Sequence, residues 1–185
     1  MIEVYDNILS QEHEDYFYKT ILESQFPWVF TRDVTNRKTA VNPRPAFSHV
    51  YYRPTNFSTS NYSFLVDKIA EEGLKLLNRE GNVIQARSFL QLPLKGSFDT
   101  YDSPHIDLKY DHIVFLYYVC DSDGDTVLFE KNQEMNDLTK YDLKIKKQVT
   151  PKKGRLLIFD GSYWHTAYQP KENVRCVINI NINIT

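Results

Sequence analysis

Apolar residues recur at two different periods along the chain, and the change of period falls just before Val83. Upstream, Tyr16, Phe17, Ile21 and Leu22 repeat at helical spacing, and Ser10 followed by Gln11-Glu12-His13-Glu14 reads as an N-cap with acids in the first turn. This predicts an amphipathic helix from Ser10 to about Ser24 that must lie on something. A second stripe, Phe64, Leu65, Ile69, Leu74 and Leu77, predicts a helix over Ser58 to Leu77, stopped by Asn78-Arg-Glu-Gly81. Short strands are expected at Ile2 to Tyr5, Trp28 to Thr31 and Ala46 to Arg53, with a long polar loop, Arg32 to Pro45, between the last two.

Downstream, runs rich in branched and aromatic residues follow one another: Val83 to Leu92, His112 to Cys120, Thr126 to Glu130, Leu143 to Val149, Arg155 to Phe159, Thr166 to Gln169 and Val174 to Ile184. Short turns separate them, among them Asp121-Ser-Asp-Gly124 and Pro151-Lys-Lys-Gly154. Helices first and strands afterwards predict an antiparallel sandwich with helices on one outer face. The last run alternates: Cys176, Ile178, Ile180 and Ile182 form an apolar face, and Arg175, Val177, Asn179 and Asn181 share the other. One face is expected under the helices and the other toward a polar interior.

At 185 residues the chain is expected to be one domain, 1–185, with 1–82 as helical support and first strands and 83–185 as the main β unit. A hydrophobic share of 42% against 25% charged residues is the profile of a packed globular protein. The net charge of -2 gives no field for nucleic acid or an anionic membrane surface, so neither is expected as a partner. Cys120 and Cys176 both sit in apolar runs and read as core residues of a reducing compartment rather than a disulfide framework. The acidic start, Met1-Ile-Glu-Val-Tyr-Asp, does not resemble a signal peptide, so a cytoplasmic location is expected.

The candidate chemistry is concentrated in a few polar residues of the β half. His105-Ile-Asp107 is read as strand, where residues two apart point the same way, so both side chains can reach one ion. A third ligand must come from a distant strand, and His165 follows the apolar run Leu156 to Phe159 and a turn at Gly161. Two imidazoles and one carboxylate suit ferrous iron and leave positions open for reactants. Arg175, on the inward face of the last strand, would be an expensive buried charge unless a carboxylate met it. A dicarboxylic acid that also chelates the metal would satisfy both requirements.

These residues, in this order and spacing, resemble the 2-oxoglutarate- and Fe(II)-dependent dioxygenases, and within them the prolyl 4-hydroxylase-like branch of small bacterial or phage type. The resemblance is close over His105 to Asn181 and loose upstream. It implies a double-stranded β-helix, a cupin-like jelly roll, buttressed by the two N-terminal helices. It implies that His105, Asp107 and His165 ligate iron and that Arg175 holds the distal 2-oxoglutarate carboxylate. Leu116-Tyr-Tyr-Val119 is similar to the branch's strand that sends a tyrosine to the same carboxylate, Tyr118 being the better match and Tyr117 the alternative. Gly124-Asp-Thr-Val-Leu-Phe129 is similar to the segment after it. The implied reaction is hydroxylation of a carbon–hydrogen bond, first of all in a peptidyl proline, using O2 and releasing succinate and CO2, with ascorbate as a candidate reductant. The implied partner is a proline-containing peptide or protein, and the chain is expected as a monomer or weak homodimer, in host-cell cytoplasm if phage-encoded. Another peptide side chain, a small molecule, a non-catalytic jelly-roll binding module and a zinc hydrolase are the alternatives. Two departures stand out: Leu90-Gln-Leu-Pro93 lacks the branch's upstream tyrosine, with Gln91 as candidate replacement, and Val177 stands where some members carry serine.

Other features are read more simply. Asp121-Ser-Asp-Gly-Asp125 departs from a calcium loop in its glycine position and lack of a closing glutamate, and is expected as a tight hairpin turn. His112 shares the parity of Tyr118 but is expected to be structural. Lys144, Lys146, Lys147, Lys152 and Lys153 are expected on a solvated edge. Lys95 to Pro104 is either a lid, with Phe98 and Tyr101 over the substrate, or an ordinary loop, and Arg87 and Arg53 are candidates for lining a substrate groove.

Overall fold

The computed structural model describes residues 1–34, 44–54, 60–94, 101–130 and 143–185. The strands in chain order are β1 (Ile2–Tyr5), β2 (Val29–Thr31), β3 (Ala46–Tyr52), β4 (Gly81–Gln91), β5 (Ile113–Tyr118), β6 (Thr126–Phe129), β7 (Ile145–Val149), β8 (Leu156–Asp160), β9 (His165–Ala167) and β10 (Arg175–Ile184). Helix α1 spans Gln11–Tyr18 and α2 spans Ser63–Leu77. Seven strands form the larger sheet in the order β1-β8-β5-β10-β4-β3-β2, and β7-β6-β9 form the smaller one. Every pairing is antiparallel. This is the expected jelly roll with two helices on one side.

The helix boundaries follow from capping. Ser10 Oγ accepts from the His13 backbone N–H at 3.4 Å, which starts α1 as its sequence predicts. The predicted continuous helix to Ser24 instead widens at Lys19–Glu23 into one π-helical turn, with Ile21 buried. At the end of α2, Asn78 takes the left-handed conformation (φ 50°) and its N–H returns to Leu74 and Lys75 carbonyls, so asparagine performs the stop usually given to glycine. The start of α2 lies at Ser63, and residues 58–59 of its predicted first turn fall outside the described residues.

Burial splits the molecule into two apolar layers. Phe17 and Ile21 from the α1 region and Leu65, Val66, Ile69 and Ala70 from α2 pack against Phe115, Tyr117, Cys176, Ile178, Ile180 and Ile182 of the larger sheet. The contact is close at Gly73, where an added Cβ would lie 2.4 Å from the Phe115 ring. Between the sheets, Val114, Leu116, Tyr118, Leu157, Phe159 and Val177 meet Leu128 and Val149. Both cysteines are buried and free. Among the described residues, no helix is long and apolar enough to cross a membrane.

The Asp121–Asp125 segment is not the expected hairpin turn. It leaves β5 in one sheet and enters β6 in the other, so it is a crossover. Its three carboxylates are committed to protein donors: Asp121 accepts from Lys153 N–H at 2.7 Å, Asp125 from Gln148 Nε2 at 2.7 Å, and Asp123 from the N–H groups of Lys171, Glu172 and Asn173 at 2.8 to 3.2 Å. Holding the approach to β10 in this way fixes where Arg175 begins. Lys144 and Lys146 lie exposed along the edge strand β7, in keeping with a solvated edge, whereas Lys153 pairs with Asp15.

Candidate metal and carboxylate site

Register on the larger sheet sets up the site. Along β10, Arg175 lies opposite Gln91 of β4, Val177 opposite Phe89, Asn179 opposite Arg87 and Asn181 opposite Gln85; on the other side Val177 faces Tyr118 and Asn179 faces Leu116. Alternation turns all of these toward the smaller sheet. The inward face is therefore polar at Arg175–Gln91 and at Asn179–Arg87, with the apolar row Phe89–Val177–Tyr118 between.

His105 and Asp107 do not lie on a strand. His105 forms a single bridge to His165, each N–H donating to the other's carbonyl at 3.0 Å, and Asp107 sits in the bend that follows. A strand would have carried Asp107 along β9; the bend instead aims it at Asn179, whose Nδ2 donates to Asp107 Oδ2 at 3.0 Å. His165, on β9, belongs to the smaller sheet and Asn179 to the larger, so the cluster spans the gap between them.

One ligand atom from each of His105, Asp107 and His165 lies within 4.8 Å of the others. Nε2 of His105 is 3.6 Å from Asp107 Oδ1, and Nε2 of His165 is 3.8 Å from Oδ2. The opposite ring nitrogens face carbonyls: Nδ1 of His165 is 3.1 Å from Tyr163 O, and Nδ1 of His105 is 3.4 Å from Ser103 O. A carbonyl can only accept, so Nδ1 of each ring carries the proton that meets it, and in the neutral imidazole this leaves the Nε2 lone pair directed at the carboxylate side. Burial of His165 pushes its pKa down to about 4, helped by the neighbouring His105. Burial opposes the charge on Asp107, but His105, His165 and Asn179 outweigh it and hold the carboxyl well below its usual range. A neutral imidazole and an ionised carboxylate are the states a divalent cation requires. His105, with 55% of its side chain exposed, stands on the open side; desolvation opposes its charge, but Asp107, joined by the Ser103 carbonyl and Asp102, raises the pKa on balance. The donor set fits a divalent transition metal held on one face.

Arg175 is 5% exposed and makes three hydrogen bonds, all to neutral acceptors: Nε to Gly124 O at 2.8 Å, Nη1 to Gln91 Oε1 at 3.1 Å and Nη2 to Thr126 Oγ1 at 2.9 Å. A guanidinium has five N–H groups, so one remains on each terminal nitrogen, the pair that a carboxylate takes end-on. Tyr118 donates to the same Thr126 Oγ1 at 2.8 Å, and burial pushes its hydroxyl up to about 12, keeping it a donor. Tyr117 points the other way, its ring edge-on to Phe17 beneath the helices, so of the two tyrosines it is Tyr118 that lies on the side of Arg175. Gln91, the residue expected in place of the missing tyrosine, accepts from Arg175 itself.

Comparison with solved structures now places the architecture. No family model matches the chain, and no curated protein matches it by sequence either. In three dimensions it is similar to a viral collagen prolyl hydroxylase from Paramecium bursaria Chlorella virus-1, in a 2-oxoglutarate complex, at 16% identity and a TM-score of 0.58 over 98% of this chain and 94% of the other. The fold is that of the 2-oxoglutarate- and Fe(II)-dependent oxygenases. A Trichoplax adhaerens prolyl hydroxylase bound to a hypoxia-inducible-factor peptide is similar at 16% identity and TM-score 0.61, covering 98% and 82%. HygX from Streptomyces hygroscopicus, with nickel, 2-oxoglutarate and hygromycin B bound, is similar at 12% identity and TM-score 0.60, covering 100% and 83%.

Within this oxygenase fold, the remaining sequence candidates find definite places. His112 is buried with Nδ1 2.7 Å from Tyr110 O, and its ring lies on Gly161, where an added Cβ would stand 2.2 Å from Nε2. Arg87 is exposed beside Asn179 at the open side, and Arg53 is exposed at the end of β3. Residues 95–100 of the expected lid lie outside the described residues. Its second part is tied down: Tyr101 bridges Tyr168 and meets Phe129 edge-on with ring centroids 5.1 Å apart, and Thr166 Oγ1 donates to Asp102 O at 2.7 Å. Sequence reasoning missed Thr126, Asn179's bond to Asp107, and the buried pair of Arg44 with Asp102. Only Asn179 carried a signal, its parity with Arg175.

Proposed function

We propose that the chain is an Fe(II)- and 2-oxoglutarate-dependent dioxygenase that hydroxylates a carbon–hydrogen bond, with a peptidyl proline as the first substrate to test. The observation that carries this reading is the conjunction of two features facing the same gap: a His-Asp-His donor cluster, and a buried guanidinium with two N–H groups left for a carboxylate. A metal hydrolase accounts for the first and leaves Arg175 a pure cost.

In this reading His105, Asp107 and His165 hold the metal, and Asn179 keeps the carboxylate ligand turned toward it. Arg175 binds the distal carboxylate of 2-oxoglutarate, with Tyr118 and Thr126 as hydroxyl partners beside it. Bound there, Fe(II) supplies the redox chemistry by which O2 and 2-oxoglutarate convert R–H to R–OH, succinate and CO2. Phe89, Val177 and the ring of Tyr118 line the wall between the two polar rows and keep it apolar. Arg87 and His105, on the open side, border the approach for a substrate.

A peptide substrate is supported by the likeness to the peptide-bound Trichoplax enzyme, and the antibiotic bound in HygX supports a small molecule as the second reading. The test is anaerobic reconstitution with Fe(II), then 2-oxoglutarate and air with a panel of proline-rich peptides. Succinate release and a peptide mass gain of one oxygen on proline are expected, and Asp107→Ala and His165→Ala should abolish both. Succinate release with no peptide oxidised would move the substrate to small molecules; turnover that survives both variants would refute the site.

A further inference from the structure

A second guanidinium lies behind the first. Arg44, at the foot of β3 and 6% exposed, forms an ion pair with Asp102, itself 9% exposed and three residues before His105. Asp102 in turn meets Gln91, whose Nε2 lies 3.4 Å from Asp102 Oδ2 while its Oε1 accepts from Arg175 at 3.1 Å. The four side chains form one buried file, Arg175–Gln91–Asp102–Arg44. The Gln91 amide is oriented by it: the carbonyl must face the guanidinium and the amide nitrogen the carboxylate.

The arrangement is unusual for what it avoids. A carboxylate buried this near Arg175 could have paired with it directly, satisfying its charge and closing it to any ligand. Instead a neutral amide stands between them, and the carboxylate's charge is met from the far side. The file holds two guanidiniums with one carboxylate between them, and it ends where Arg175 presents its two remaining N–H groups.

The geometry points to Gln91 and Asp102 as positioning residues for Arg175, and to Arg44 as the residue that reserves Arg175 for a dicarboxylate co-substrate by neutralising Asp102. Without Arg44, Asp102 would act at short range in a poorly screened interior, weakening the attraction of Arg175 for an incoming carboxylate and repelling that carboxylate itself. The effect is selective. It falls on the distal carboxylate of 2-oxoglutarate and spares a keto acid that has only the metal-chelating end.

The proposal rests on Arg175 taking the distal carboxylate, and the test separates the two ideas. Calorimetry would compare 2-oxoglutarate with 2-oxobutyrate, which lacks the second carboxylate, on Mn(II)-loaded protein without O2. Wild type is expected to prefer 2-oxoglutarate strongly; equal binding of the two acids would overturn the co-substrate reading and this proposal with it. Arg44→Met should weaken 2-oxoglutarate by about tenfold or more, with 2-oxobutyrate within about threefold of wild type. Because Arg44→Met removes the ion-pair partner of a buried carboxylate, the decision is carried by Asp102→Asn and by Arg44→Met/Asp102→Asn, checked for native melting. Asp102→Asn, which keeps an acceptor for Gln91, should bind 2-oxoglutarate at least as tightly as wild type, and the double variant should return to within about threefold of it. Wild-type discrimination combined with weakened binding in either of these two variants would overturn the role of Arg44 while leaving the co-substrate reading intact.

Discussion

The two faces of β10 are made by one strand and differ in almost everything else. Cys176, Ile178, Ile180 and Ile182 are packed against the helices with no polar contact to satisfy, and Arg175, Val177, Asn179 and Asn181 look toward the smaller sheet. On that inner face buried polar atoms are left over: the Oδ1 atoms of Asn179 and Asn181 have no hydrogen-bond partner, and Arg175 meets only neutral acceptors. Burying such groups unmet costs stability. The helix side shows what the same strand does when packing alone is asked of it; the inner side bears a cost that only a bound ligand would recover.

Four predictions can break or sharpen this contrast. The largest effect belongs to the helix face. Ile180→Ala, at a fully buried position beside α2, should destabilise the fold by about 2–5 kcal/mol in urea titration and leave the metal stoichiometry at one per chain. On the inner face the order reverses. Arg175→Met should raise the 2-oxoglutarate Kd by about 100-fold yet leave the melting temperature of the ligand-free protein unchanged or higher, since it removes a buried charge that no carboxylate meets. A drop in melting temperature as large as that of Ile180→Ala would erase the distinction.

Asn179→Ala removes the amide that holds Asp107, and should weaken Mn(II) binding by about 10- to 100-fold with native melting retained. Metal affinity equal to wild type would show that the bend alone orients the carboxylate.

The smallest effect sits on the helix side, at the buried carboxylate of Glu14. Glu14 is 4% exposed with Oε1 unpartnered, and burial raises its pKa, an effect Lys153 only partly opposes. A carboxyl whose folded pKa lies above its unfolded value binds protons better when folded. Its contribution is therefore most favourable at low pH and is lost as pH rises through the raised pKa. Glu14→Gln should gain up to about 1 kcal/mol at pH 8 and less at pH 4.5. An equal gain at both pH values would mean the carboxylate is not the cause.

Much of the fold was legible because it depends on local periodicity. The change from helical to alternating spacing, the Ser10 cap, the Asn78 stop and the two faces of β10 are all properties of neighbouring residues, and neighbours are what a sequence displays. The donor set was legible as well, because His-x-Asp, a later histidine and an arginine are distinctive as residue types in order. Their geometry was not. The bend at Asp107, in place of the expected strand, is set by Asn179 across the gap, and the crossover at Asp121–Asp125 is set by backbone N–H groups of residues 171–173.

The choice of Tyr118 over Tyr117 lay between the two. Alternation said that only one of them could face the smaller sheet, and the pairing of Tyr118 with Val177 decided which. Arg44 and Asp102 were wholly invisible, since each sits in a polar stretch that reads as solvated loop, and 58 positions separate them. From the sequence alone came the layers, the alternating last strand and the residues able to hold a metal and a dicarboxylate. Tertiary structure alone decided which buried charges meet each other and which is left to meet a ligand, because the energy of a charge depends on what stands next to it in space.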